Sequence, residues 1–78
     1  MPVWIKLNDL VTNKGFTLYV PSIIVMEWVE KTDELEAHTS ISTARGDILV
    51  AETPEQIELM VLYETREAIR RCAREYFK

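Results

Sequence analysis

The chain has 78 residues, 13 of them acidic and 9 basic, with one His, one Cys and a formal net charge of −4. Apolar residues make up 47% and charged residues 28%. That balance excludes intrinsic disorder and a collagen-like repeat, and the length leaves room for one domain. No stretch approaches the roughly 18 apolar residues of a membrane span, and the start MPVWIKLNDL lacks the pattern of a signal peptide. A lone Cys72 rules out an internal disulfide framework and fits a reducing compartment. The expectation is a cytoplasmic protein with no membrane partner.

Residues 1–52 read as short strands. Val3, Ile5 and Leu7 alternate with Trp4 and Lys6, and Phe16, Leu18 and Val20 alternate with Thr17 and Tyr19. Between them Asn13-Lys14-Gly15 supplies turn residues that tolerate positive φ, so the two runs predict a hairpin. Pro21 cannot donate a ladder hydrogen bond and ends the second strand. In the third run, Ile23 to Glu30, Ile24, Met26 and Trp28 share one face while Ile23, Val25, Glu27 and Val29 share the other. Both faces are largely apolar, so this strand is expected to be central or covered by a partner. A fourth strand is expected from about Glu36 to Thr43. Arg45-Gly46-Asp47 marks a tight turn, and Ile48-Leu49-Val50 a fifth strand.

The regime changes at Thr53. Thr53-Pro54-Glu55-Gln56 is a capping box, with Thr53 as N-cap, Pro54 at the first helical position and Gln56 reaching back. From Glu55 to Phe77 there is neither Gly nor Pro. Glu55, Glu58 and Glu64 lie toward the helix start, and Arg70, Arg71, Arg74 and Lys78 toward its end, matching the macrodipole. Ile57, Met60 and Val61 suit packing on the strands. The later residues Ala68, Ile69, Cys72, Ala73, Tyr76 and Phe77 extend the apolar surface beyond what five short strands cover. The predicted architecture is α+β: one domain over 1–78, with a mainly antiparallel five-stranded sheet or open barrel over 1–52 and one long helix over 53–78.

The order of features from Trp4 to Leu62 resembles the small flagellar-operon FlbD proteins and their FlbD-like relatives in bacteria and phages. The matching stretches are Ile5-Lys6-Leu7, the Gly15 turn and its following strand, Ile23 to Glu30, the Ile41-to-Gly46 hairpin, and the junction from Ile48 to Ile57. The resemblance implies a small strand-rich protein with one C-terminal helix. That family has no established catalytic residues, so none carries over. Residues 66–78, with five basic side chains, depart from the family's short helix.

Catalytic and metal chemistry find little support. A structural zinc needs four N or S ligands, which His38 and Cys72 cannot supply. His38 is expected on a solvated strand edge. Cys72 has Arg70, Arg71 and Arg74 nearby, which can lower a thiol pKa, but as a small apolar residue it also fits the packing stripe. That second reading is preferred. Ser22, Ser40 and Ser42 would need a base and an orienter to act as nucleophiles, and His38 is the sole histidine. The acidic run Glu27, Glu30, Asp33, Glu34 and Glu36 lacks calcium-loop spacing and reads as a solvated loop. Neither glycine belongs to a phosphate loop. No enzyme, cofactor or metal is expected.

The strongest lead is charge asymmetry. Residues 66–78 carry five basic and two acidic side chains, net +3, against four basic and eleven acidic, net −7, in residues 1–65. Arg66, Arg70, Arg74 and Lys78 recur every four residues and line one helical face. Arg66, Arg70, Arg71 and Arg74 form a candidate site for an anion or an acidic partner; pairing of the row with a neighbouring subunit's acidic loop and plain solvation are the other readings. Overall acidity argues against general nucleic-acid binding. A core of this size supplies only a few kcal/mol, so a homo-oligomer is expected, joined by Ile69, Cys72, Ala73, Tyr76 and Phe77. The function expected is a non-catalytic interaction module that regulates or inhibits a protein partner. The alternative is an oligomer that sequesters an anionic small molecule or nucleotide.

Overall fold

The computed structural model describes residues 3–76. Strands β1 (Trp4–Asn8) and β2 (Gly15–Tyr19) precede a 3₁₀ turn over Val20–Ser22. Then come β3 (Ile23–Val29), β4 (His38–Thr43), β5 (Gly46–Val50) and the helix α1 (Pro54–Tyr76). The class is α+β, as expected. The single five-stranded sheet or barrel is not what forms. β1 and β2 make one antiparallel sheet, and β3-β4-β5 make another in that order. The division falls at Pro21, where the 3₁₀ turn redirects the chain so that β2 and β3 do not pair.

The two sheets meet along a narrow seam. Asp9 forms an isolated bridge with Val50; Leu10 N–H donates to the Leu49 carbonyl at 3.0 Å, and Ala51 N–H to the Asn8 carbonyl at 3.1 Å. Glu52 reinforces the seam, its carboxylate accepting from the Asn8 backbone N–H at 3.0 Å and from Asn8 Nδ2 at 2.7 Å. Around this seam Ile5, Leu7, Leu18, Ile41, Val50 and Ile57 form one buried core, drawn from both sheets and the helix.

Local chemistry explains the turns. After β1 the Asp9 carboxylate accepts from the N–H groups of Val11 (2.8 Å) and Thr12 (3.0 Å), and Asn13 takes φ 56°. Those two backbone donors hold the Asp9 carboxyl below its ordinary value. At the β4–β5 hairpin Gly46 sits at φ 127°, a conformation that side chains rarely adopt.

β3 departs from the simple alternation. Ile23 pairs with Thr43 but Val25 pairs with Ser42, so Ile24 is the extra residue of a bulge. The slip turns Ile23 and Met26 onto the core and leaves Ile24 68% exposed, separating it from Met26. β3 is also an edge strand rather than a central one, with Val25 and Trp28 exposed. β4 begins at His38, and that histidine is 3% exposed rather than solvated. Its ring Nδ1 bonds the Glu36 carbonyl at 2.8 Å, and a carbonyl can only accept, so this nitrogen carries the proton.

The helix begins as its sequence dictates. Thr53 N–H donates to Gln56 Oε1 at 2.8 Å, and Gln56 N–H to Thr53 Oγ1 at 3.1 Å, which closes the capping box. α1 runs antiparallel to β1, starting beside Asn8 and passing Trp4 near Ala68. Ile57 is buried, and Met60 and Val61 pack on the core. At ~1.5 Å per residue its 23 residues span about 35 Å, and the end projects past the sheets. The molecule measures 56 × 22 × 20 Å with a radius of gyration of 14.6 Å, against about 11–12 Å for a compact chain of this length.

Candidate interaction surfaces

From Ile69 through Glu75 every side chain of α1 is exposed. Helical geometry separates the basic residues. Residues four apart lie roughly 40° apart around the axis, so Arg66, Arg70 and Arg74 form a spiral row turned away from the core. Arg71 lies on the other side, lining a groove of about 390 Å³ with Val3, Trp4, Glu64, Ala68, Cys72 and Glu75. Two carboxylates in that groove offset the single guanidinium. Arg70 Nη1 binds Glu67 Oε1 at 3.1 Å. Among the described residues Arg66, Arg71 and Arg74 make no ion pair. The four arginines therefore do not converge within one copy.

The predicted association residues divide in the same way. Ile69 (52% exposed) and Ala73 lie on the outward side with the arginine row. Cys72 faces the groove beside Trp4. Tyr76 closes the helix, while Phe77 and Lys78 lie outside the described residues. The outward face continues back along the helix through Leu59, Leu62 and Tyr63, which are 48–66% exposed. Leu59, Leu62, Arg66, Ile69 and Ala73 follow 3-4-3-4 spacing, which is the seam spacing of paired helices. This stripe begins at Leu59, well before the association residues expected from the sequence, although its spacing is legible there.

Two further features lie on the strands. The outer edge of β3 exposes Ile24, Val25 and Trp28, with Trp28 Nε1 donating to Glu30 Oε1 at 3.0 Å. Between the sheets, Trp4 and Tyr19 pack with ring centroids 4.9 Å apart and planes tilted by 50°, beside a groove of about 570 Å³ closed by the Thr43–Ile48 hairpin.

The acidic loop lies far from the arginines. β3 ends opposite His38, and the neighbouring Thr39 Oγ1 donates to the Glu52 carbonyl at 2.6 Å, just before the helix begins. Residues 30–36 thus sit at the start of α1, with a Lys31–Glu36 pair at 3.6 Å, and the basic row sits toward its end. The row and the loop cannot meet within one copy.

Among the described residues no group of three or more His, Cys, Asp or Glu is placed to hold a metal ion. Among the same residues no helix is long and apolar enough to cross a membrane. Compared with protein-family models, curated proteins and solved structures, the chain matches none. The resemblance to the FlbD-like proteins draws no support from those comparisons.

Proposed function

We propose that this protein is a non-catalytic, oligomeric interaction module of the cytoplasm that regulates or inhibits a partner protein. The observation carrying the reading is the apolar surface of one copy: Leu59, Leu62, Tyr63 and Ile69 stand exposed along the outward side of α1. Exposed apolar stripes of this kind mark association surfaces. The helix stripe serves the oligomer. The β3 edge, with Ile24, Val25 and Trp28 exposed, serves the partner, through strand addition to its free backbone groups. An FlbD-like ancestry is compatible with this role.

Light scattering at tens of micromolar tests the oligomer. A mass above one chain is expected, and a monomer refutes the reading. Ile69→Asp together with Ala73→Asp should give monomers, because each buries an unpaired charge at the contact. Reversing Arg70 and Arg74 to Glu should weaken assembly, as should moderate salt on the unaltered protein. Unchanged elution of the double variant at both low and high salt would exclude charge pairing between subunits.

A second reading draws on Arg66, Arg71 and Arg74 of the helix, which make no ion pair among the described residues. An oligomer could gather them around an anionic small molecule or nucleotide held by the guanidinium fork. ATP and inorganic phosphate, titrated against the melting temperature, test it. Stabilisation that the Arg70→Glu, Arg74→Glu variant loses while keeping its mass would favour this reading.

A further inference from the structure

We propose that two copies pair through the outward faces of α1 in antiparallel orientation, crossing near Glu64. The inference rests on the oligomer reading above and adds the occupant, the direction and the register.

Direction follows from charge. In the helix before residue 66 the charged side chains are Glu55, Glu58 and Glu64. After it come Arg66, Arg70, Arg71 and Arg74 with Glu67 and Glu75. A parallel pair would set acid beside acid and base beside base; an antiparallel pair sets each basic half along an acidic half. The acidic loop 30–36 lies at the start of α1, so the partner's arginines also arrive beside it. Macrodipoles are likewise opposed in an antiparallel pair.

Register follows from the stripe. A crossing near Glu64 places Leu59 against Ile69 of the second copy and Leu62 against the aliphatic stem of Arg66, which can lie over it while its guanidinium reaches water. Tyr63 then falls near its own symmetry mate, and Arg70 and Arg74 flank Glu55 of the other chain. The contact is isologous, the same patch on both subunits, as a closed dimer requires. The inner face of each helix stays on its own core through Ile57, Met60 and Val61, so pairing leaves each fold intact.

The native cysteine supplies the test. In this register Cys72, on the flank of α1 between the groove and the outward stripe, comes within linker reach of Glu58 on the same flank of the other chain and stays far from the second Cys72. Glu58 and Cys72 are both exposed, and within one chain they stand about 21 Å apart along the helix. The unaltered protein and a Glu58→Cys variant are each treated with a short bismaleimide linker at tens of micromolar, and the linked peptides are mapped by mass spectrometry. A dimeric mass is expected, with no Cys72–Cys72 link in the unaltered protein and a dominant 58–72 link between chains in the variant. A Cys72–Cys72 link in the unaltered protein would mean parallel helices and overturn the proposal. A dimer with no link in either protein would place the contact on another surface, such as the β3 edge, overturning the helix pairing while leaving the oligomer reading intact. A monomeric mass defeats both.

Discussion

The two halves of α1 have the same backbone and opposite surroundings. Between Pro54 and Thr65 the helix has a buried side, with Ile57 fully enclosed and Met60 and Val61 against the core. From Ile69 to Glu75 every side chain is exposed. The composition differs accordingly, acidic and aliphatic first, then arginine and alanine. A helix of this length in water relies on packing for most of its stability. Here the first half is held by tertiary contact and supports the second as a rod. Stability belongs to the inner face of the first half, whereas the proposed contact runs along the outward face of both halves, which makes the two separable by mutation.

Substitutions in each half sharpen that contrast. Ile57→Ala should cost about 2–5 kcal/mol, because it empties a site fully enclosed by both sheets; urea denaturation would record the loss as a lower midpoint. Thr53→Ala removes one half of the capping box and should cost roughly 0.5–2 kcal/mol without changing subunit number. A melt indistinguishable from the unaltered protein would contradict the Thr53–Gln56 contacts. In the outer half Arg66→Leu should leave the stability of the isolated chain within about 0.5 kcal/mol, yet tighten the dimer by replacing a polar seam residue with an apolar one. Sedimentation on dilution reads that change, and weaker association would count against the stripe as the contact.

The smallest effect is expected from acid at Asp9. Its carboxyl is held below the ordinary value by the N–H groups of Thr12 and Val11. A depressed folded-state pKa contributes stability that is present above the unfolded value of about 3.9 and is lost as pH falls through the folded one. Asp9→Ala should therefore narrow its stability gap to the unaltered protein as pH drops below about 4. A gap that stays constant down to pH 2 would show that the turn does not depend on the carboxylate.

How much could be read beforehand depended on how local the cause was. The cap at Thr53, the hairpin of Ile5 and Leu7 with Leu18, and the end of β2 just before Pro21 follow from residues within a few positions of each other. The bulge at Ile24 does not: its register is set by Ser42 and Thr43 across the sheet, and strict alternation misassigned Ile23 and Ile24. His38 reads as polar, but its place under the β4 start is a property of the Glu36 carbonyl and the surrounding fold. The division into two sheets followed from the 3₁₀ turn, whose redirection Pro21 signals only as an ending. At the candidate site the arginine row was visible in the four-residue spacing, whereas the placement of Arg71 and Cys72 beside Trp4 depended on where β1 lies.

The seam between the sheets has a consequence for how the chain reaches this structure. β1–β2 and β3–β4–β5 are each built from neighbours in sequence, and such local pairings close quickly because little chain must be ordered at once. Joining them requires Asn8 to find Glu52, a separation of 44 positions. That closure carries the largest loop entropy of these contacts, so it should come late, after both hairpins exist. Folding should thus be rapid up to two preformed pieces and limited by their docking, with Glu52 substitutions slowing the final step more than the first.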